Sequence, residues 1–123
     1  MRRHSDVRRD GYFDLFPDDV VEVNAVVIHD SQSAGDWHGH RWQDDYWFVP
    51  LGKLRVGMKF AGERRCRFLT PEHDPLHIPA GWWHTYKALE PTVLIYGLTR
   101  RYDEADPDER RLEFSTQEEG LYG

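Results

Sequence analysis

The sequence has a single cysteine, no long apolar run and no excess of positive charge. Cys66 has no second cysteine to pair with, which excludes an internal disulfide and favours a reducing compartment, the cytoplasm. No apolar run approaches the roughly 20 residues that a membrane-spanning helix needs, and the first residues lack the apolar core of a signal peptide. The 22 acidic residues outnumber the 16 basic ones, for a formal net charge of −6. This balance argues against a broad surface for nucleic acid or anionic membrane.

The pattern of apolar residues predicts strands. At 123 residues, with 31% charged and 14% aromatic residues, the chain is typical of one globular domain. Two sets of apolar residues recur with a period of two: Val21, Val23, Ala25 and Val27, which alternate with Glu22 and Asn24, and Leu54, Val56, Met58 and Phe60. Turn residues divide the chain into seven or eight such segments, which predicts an all-β sandwich or barrel. The residues expected to be largely buried are Leu54, Val56, Met58, Phe60, Ile78 and Leu94.

The two ends of the chain are polar and are predicted to flank this domain. We expect an N-terminal arm at residues 1–19, a domain at residues 20–114 and a C-terminal tail at residues 115–123, with a short helical turn near residues 108–112. Tyr12, Phe13 and Phe16 form a small aromatic cluster in the arm. Because so short a cluster has no core of its own, we expect the arm to cross to a second copy of the chain in a homodimer.

Three histidines occur in two motifs. His38 and His40 are two residues apart, so in a strand both imidazoles face the same side. Downstream, the turn Pro79-x-Gly81-x-x-His84 supplies a third histidine. Together with Asp45 and Gly52, these motifs resemble the two-part signature of the cupin barrels. The resemblance predicts a jelly-roll barrel with the three imidazoles at one shared cavity.

Such a cluster of imidazoles has two chemical interpretations. His38, His40 and His84 with the Asp45 carboxylate would suit a divalent transition metal with open coordination positions. Alternatively, the histidines line a polar cavity and hydrogen-bond one another. The tryptophans near these motifs, Trp37, Trp42, Trp82 and Trp83, are either core residues or platforms that stack on a base or a sugar.

Residues 76–112, LHIPAGWWHTYKALEPTVLIYGLTRRYDEADPDERRL, resemble the second half of the sugar-nucleotide cupins. These are the dTDP-4-dehydrorhamnose 3,5-epimerases and the dTDP-4-keto-6-deoxysugar 3,4-ketoisomerases. The positions that match the epimerase pattern are Pro79, Gly81, His84, Tyr96, Thr99, Tyr102, Glu109 and Arg110. The run from Tyr102 to Asp106 is also similar to the ketoisomerases' Tyr-Asp-Glu-x-Asp, and His38-Gly39-His40 is similar to their His-Ala-His.

The resemblance implies an isomerase that removes a proton next to the keto group of a nucleotide-linked 4-keto-6-deoxysugar, with no cofactor. It implies His38 as the base and Tyr96 as the acid, with Tyr102 as the alternative acid. The substrate-binding residues it implies are His40, Arg41, Trp42, Lys59, His84, Tyr86, Lys87 and Tyr102. The family pairs its basic histidine with a C-terminal aspartate, for which Asp36, Asp44 or Asp45 would substitute here.

Several further expectations follow from this interpretation. The substrate diphosphate is expected to contact at least one of the basic residues Arg41, Lys59, Arg65 and Lys87, because a net-acidic protein needs local positive charge for a dianion. The partners expected are a nucleotide sugar and a second copy of the chain, with no nucleic acid and no membrane. Two alternative functions stay open: a metal-dependent cupin enzyme that acts on a small molecule, and a sugar-binding module without catalysis.

Overall fold

The computed structural model describes residues 1–29 and 36–112, which form strands, turns and loops without a helix. In chain order the strands are β1 (Arg2–Ser5), β2 (Asp10–Phe13), β3 (Glu22–Ile28), β4 (Trp37–Gly39), β5 (Asp45–Leu51), β6 (Leu54–Phe60), β7 (Glu63–Leu69), β8 (Leu76–Ile78), β9 (Trp83–Ala88), β10 (Thr92–Leu98) and β11 (Arg110–Leu112). The predicted tail at residues 115–123 lies outside the described residues. Among the described residues, none belongs to a helix long and apolar enough to cross a membrane.

Two antiparallel sheets enclose the core. One has four strands in the order β3-β10-β5-β8, and the other has five in the order β11-β4-β9-β6-β7. Among the described strands from β3 onward, each strand lies in the other sheet from the strand before it, except that β6 and β7 lie in the same sheet. This alternation gives the all-β jelly-roll cupin fold that the sequence predicts.

Apolar side chains from both sheets meet between them. Leu54, Val56 and Met58 of β6 pack with Ile78 and Leu94 of the facing sheet, and all five are buried as predicted. The prediction for Phe60 is wrong, because its side chain is 47% exposed at the end of β6 and lies beside Trp82, with ring centroids 5.4 Å apart. The alternation of β6 thus continues one step beyond the part of the strand that the other sheet covers.

Strand β3 forms as the period-two pattern predicts, but it presents its polar face to the interior. Glu22 and Asn24 are half-buried and line the cavity between the sheets, whereas Val23 and Val27 are 58% and 60% exposed. Among the described strands, β3 has a neighbour on one side only, β10, so it is an edge strand. An apolar–polar pattern cannot specify which face points inward when the interior is itself a polar cavity.

The N-terminal arm folds back on its own chain. Strands β1 and β2 form a hairpin, and the ring of Tyr12 lies 5.0 Å from that of Phe48 on β5. Phe16 lies 6.4 Å from Tyr46 and also covers Gly97. This corrects the expectation that the cluster must cross to a partner, because its own four-stranded sheet supplies the apolar surface. The helical turn expected near residues 108–112 is also wrong, since β11 pairs with β4 there.

The turn between β5 and β6 requires glycine at position 52. Gly52 has a φ of +100°, and a Cβ there would overlap the Pro91 carbonyl oxygen. Gly52→Ala is expected to reduce the free energy of unfolding by about 3 kcal/mol, from the left-handed backbone and from overpacking. Gly62 is a matched control, because its φ is +83° but none of the described residues beyond its chain neighbours lies within 4 Å of its added Cβ. Urea unfolding should show a smaller loss for Gly62→Ala, about 1–2 kcal/mol; equal losses would contradict this explanation.

Candidate active site

The three motif histidines meet at one cavity. His38 on β4 is in register with His84 on β9, and their ring centroids are 6.5 Å apart. His40 follows β4 directly, and its ring centroid lies 5.3 Å from that of His84. All three line a cavity of about 530 Å³ between the two sheets, a size typical of small-molecule sites. The sequence prediction of a shared cavity is therefore confirmed.

The structure brings together part of the predicted site and adds residues that sequence reasoning missed. The predicted residues that line the cavity are His38, His40, Asp45, His84, Tyr86, Tyr96 and Tyr102. Polar residues not predicted there are Glu22, Asn24, Gln43, Thr85, Arg101, Asp108 and Glu109. Of these residues, only Glu109 could have been found from the sequence, because it matches a position of the epimerase pattern. Its contact with His38 could not, because the two residues are 71 positions apart along the chain.

Four residues predicted to bind substrate are not among those that line the cavity. The guanidinium group of Arg41 lies over the ring of Trp42, 5.2 Å from its centroid, and Trp42 is 61% exposed. The ammonium group of Lys59 lies 5.0 Å from the ring centroid of Trp37, and Lys87 is exposed on β9. The substrate-binding role of these four residues stays a prediction. Arg65, also expected near a diphosphate, pairs with Glu63 at 2.8 Å.

His38 is held by a carboxylate. Its Nδ1 atom lies 2.9 Å from Oε1 of Glu109, a residue placed beside β4 by the pairing of β11. A carboxylate accepts hydrogen bonds, so the hydrogen belongs to Nδ1, and in the neutral ring the Nε2 atom keeps a lone pair. Glu109 thus occupies the place for which the sequence suggested Asp36, Asp44 or Asp45. The carboxylate of Asp44 instead accepts hydrogen bonds from Nε2 of His77 and from the backbone N–H of Ala80.

Asp45 lies deeper in the same cavity. Its carboxylate accepts hydrogen bonds from Gln43 Nε2 at 2.7 Å and Trp47 Nε1 at 3.1 Å. Burial raises the pKa of Asp45, an effect that His40 and these two donors oppose. Burial, and next the neighbouring His40 and His38, lower the pKa of His84 to about 3, so that this imidazole is neutral at physiological pH.

His40, Asp45 and His84 also form a cluster that could hold a metal ion. One ligand atom from each lies within 4.8 Å of the others, and Nδ1 of His84 is buried without a hydrogen-bond partner among the described residues. Two imidazole nitrogens and a carboxylate oxygen fit a divalent transition metal with open positions. His38 is not part of this cluster, so the set differs from the four ligands that the sequence suggested.

Tyr96 stands on the wall opposite His38. It belongs to β10 of the four-stranded sheet, whereas His38 belongs to β4 of the five-stranded sheet, and both line the cavity. Burial, and next the charges of Asp45 and Glu22, raise the pKa of the Tyr96 phenol, against a hydrogen bond from Asn24. The phenol therefore keeps its proton at neutral pH. Tyr102 is 64% exposed at the rim.

Comparison with known proteins places this site in a family. The chain is 33% identical to the spore coat polysaccharide biosynthesis protein SpsL of Bacillus subtilis, over 98% of this chain and 89% of SpsL. The chain belongs to the family of SpsL. The chain is also 35% identical over 89 residues to Agl13 of Haloferax volcanii, named a probable low-salt glycan biosynthesis epimerase. That match covers 63% of this chain and 57% of Agl13.

Solved structures support the fold assignment of the chain. It superposes with a TM-score of 0.74 on QdtA, a sugar 3,4-ketoisomerase from Thermoanaerobacterium thermosaccharolyticum solved in complex with TDP. The match covers 90% of this chain and 83% of QdtA at 19% identity, so the likeness concerns the fold. No family model matches the chain.

Proposed function

We propose that this chain is an epimerase or isomerase that acts on a nucleotide-linked 4-keto-6-deoxysugar, by removing a proton from a carbon next to the keto group. The observation that carries the proposal is the arrangement of His38, whose Nδ1 is bound to Glu109, across a cavity from the Tyr96 phenol. The names of the relatives support it: Agl13 is called a probable epimerase of glycan biosynthesis, and QdtA is a sugar 3,4-ketoisomerase.

The proposed chemistry follows from the two opposed groups. A keto group acidifies the C–H bonds beside it, and imidazole, with an ordinary pKa of about 6.5, accepts a proton efficiently at neutral pH. In an epimerisation, Nε2 of His38 takes the proton from one face of the sugar, and Tyr96 returns a proton to the other face. In a ketoisomerisation, the proton moves along an enediol and His38 serves as both acceptor and donor. Each group contributes roughly 10²–10⁴-fold to the rate.

Charge in the cavity supports a role for Arg101 in holding the diphosphate. Glu22, Asp45, Asp108 and Glu109 also line the cavity, and Arg101 is the cation among its described lining residues. A bound diphosphate needs such a charge, because it is a dianion in an acidic protein. We also propose the cytoplasm as the compartment, which the free and exposed thiol of Cys66 supports.

The direct test of function is product formation. The chain is incubated with dTDP-4-keto-6-deoxyglucose, and the mixture is followed by proton NMR for an epimer or a 3-keto isomer. The same sugar without its nucleotide serves as the control and should react far more slowly. A substrate that binds but remains unchanged over hours would instead favour a sugar-binding module without catalysis.

Glu109 is expected to be essential for a fast reaction. Glu109→Gln keeps the size of the side chain but removes the charge that stabilises the protonated imidazole. By analogy with the carboxylate of a Ser-His-Asp triad, the variant should lower kcat by ~10²-fold or more, with little change in KM. Glu104→Gln is a matched control, because Glu104 lies on the same segment but not in the cavity lining. Equal kcat values for the Glu109 variant and the wild type would remove Glu109 from the mechanism.

A second candidate is a metal-dependent cupin enzyme that acts on a small molecule. The observation that favours it is the cluster of His40, Asp45 and His84. A divalent metal bound there would polarise a substrate carbonyl or activate water. Elemental analysis of the purified chain, before and after chelator, separates the two candidates. Stoichiometric metal together with activity that is lost on chelation and regained on metal addition would favour the second candidate.

We further propose that the chain forms a homodimer through the exposed face of β3. Val23 and Val27 are exposed on this edge strand, and Val21 is exposed directly before it. Such an apolar patch is better covered than solvated. Light scattering at micromolar concentration should give the mass of a dimer. The double variant Val23→Glu/Val27→Glu should give a monomer, whereas Val7→Glu, at a fully exposed valine of the β1–β2 turn, should not. A monomeric wild type would contradict the proposal.

A further inference from the structure

Two neighbouring residues, Asp108 and Glu109, contact both histidines of the first motif. Glu109 Oε1 accepts a hydrogen bond from His38 Nδ1, and the backbone carbonyl oxygen of Asp108 accepts one from His40 Nδ1. Neither oxygen can donate, so each Nδ1 must carry a hydrogen. In its neutral state each imidazole is therefore the Nδ1–H tautomer, with a lone pair on Nε2.

The Asp108 side chain binds the segment that follows His40. Its Oδ1 accepts the backbone N–H of Arg41 at 2.8 Å, and its Oδ2 accepts those of Trp42 and Gln43 at 2.9 Å each. The carboxylate is only 5% exposed. Burial alone would raise the pKa of Asp108, but these three backbone donors outweigh it and hold the pKa below its usual range. The group is therefore a carboxylate at neutral pH and makes charge-assisted hydrogen bonds.

These contacts connect two segments that are far apart in the sequence: Asp108 and residues 41–43. Residues 40–44 lie between β4 and β5 and belong to no strand, so the N–H groups of Arg41, Trp42 and Gln43 need other acceptors. Asp108 supplies them from 65 to 67 residues away along the chain. The backbone carbonyl oxygen of Asp108 also accepts a hydrogen bond from Nδ1 of His40. Releasing the carboxylate would let this turn move and break the bond that sets the tautomer of His40.

We propose that Asp108 is a positioning residue: its carboxylate holds the turn at residues 41–43, so that the neutral ring of His40 stays in the Nδ1–H form, with Nε2 in the cavity 3.8 Å from Oδ1 of Asp45. The effect on tautomers needs no substrate. The effect on rate rests on the function proposed above, and it arises because a displacement of about 1 Å at a reacting group costs ~10²-fold in rate.

The first measurement is the tautomer of each histidine in the substrate-free chain. Nitrogen-15 NMR distinguishes Nδ1–H from Nε2–H rings, and His38→Gln and His40→Gln variants assign the two signals. The wild type should show Nδ1–H rings at both positions. Asp108→Asn and Asp108→Ala should convert His40 to a mixture of tautomers. Asp106→Asn is the matched control, because Asp106 is 70% exposed and pairs with Arg100 instead of the turn; it should match the wild type.

Kinetics with the keto-sugar nucleotide supplies the second measurement. Both Asp108 variants should lower kcat by about 10²-fold and change KM little, whereas Asp106→Asn should change neither. Wild-type tautomers in both Asp108 variants would overturn the proposal, and so would loss of the fold in both by circular dichroism, since Asp108 would then be a structural residue only. If the tautomers behave as expected but the wild type forms no product, the proposed function fails and the role of Asp108 stands.

Discussion

Replacing His38 by alanine is expected to abolish product formation from a nucleotide-linked 4-keto-6-deoxysugar. The imidazole is the group that takes the proton, and its Nε2 is directed by the bond between Nδ1 and Glu109. Loss of a general base lowers the rate roughly 10²–10⁴-fold. Alanine cannot accept a proton, so water would be the acceptor in the variant. The rate is measured by proton NMR of the product, and substrate binding by calorimetry should change much less.

His73→Ala is the matched control for this variant. His73 is exposed in the loop after β7, where its Nδ1 lies 2.9 Å from the hydroxyl of Thr70, and it is not among the residues that line the cavity. This control should retain the wild-type rate. An unchanged rate in His38→Ala would show that another group, such as His40 or His84, is the base.

Tyr96→Phe is expected to separate proton removal from proton return. The variant keeps the aromatic ring, which packs against the core, and removes the hydroxyl. His38 would still take the proton, but no acid would return one from the opposite wall. Inversion should therefore fall by about 10²-fold or more, while exchange at the carbon that loses its proton continues.

Tyr102→Phe tests the alternative acid. Tyr102 lies at the rim and is 64% exposed, so its variant should mainly change KM. Loss of inversion in Tyr102→Phe, with Tyr96→Phe active, would assign the acid to Tyr102. Formation of a 3-keto isomer that survives in both variants would favour a ketoisomerisation in which His38 both takes and returns the proton.

Much of the fold could be predicted from the sequence, because its strands follow a local rule. Strands β3 to β10 agree closely with the period-two segments and the turn residues between them. The two histidine motifs also predicted one shared cavity, which the pairing of β4 with β9 provides. The errors concern which face of a strand is covered. Phe60 lies beyond the end of the core, and Glu22 and Asn24 of β3 point toward a polar cavity.

The electrostatic part of the site could not be predicted, because it depends on contacts between distant residues. Glu109 binds His38 across 71 positions, and Asp108 binds Gln43 across 65. Both contacts depend on β11, a strand of only three residues that has no period long enough to detect. Arg41, which directly follows His40 in sequence, and Lys59 on β6 are not among the residues that line the cavity. Proximity along a strand does not decide which face a side chain takes.

The most direct test of the central claim is exchange with solvent deuterium. The wild-type chain is incubated with dTDP-4-keto-6-deoxyglucose in heavy water, and the position of incorporated deuterium is read by NMR and mass spectrometry. The proposed mechanism predicts deuterium at a carbon next to the keto group, at a rate that depends on His38 and does not respond to chelator. A sugar that binds in the cavity but gains no deuterium at those carbons would contradict it.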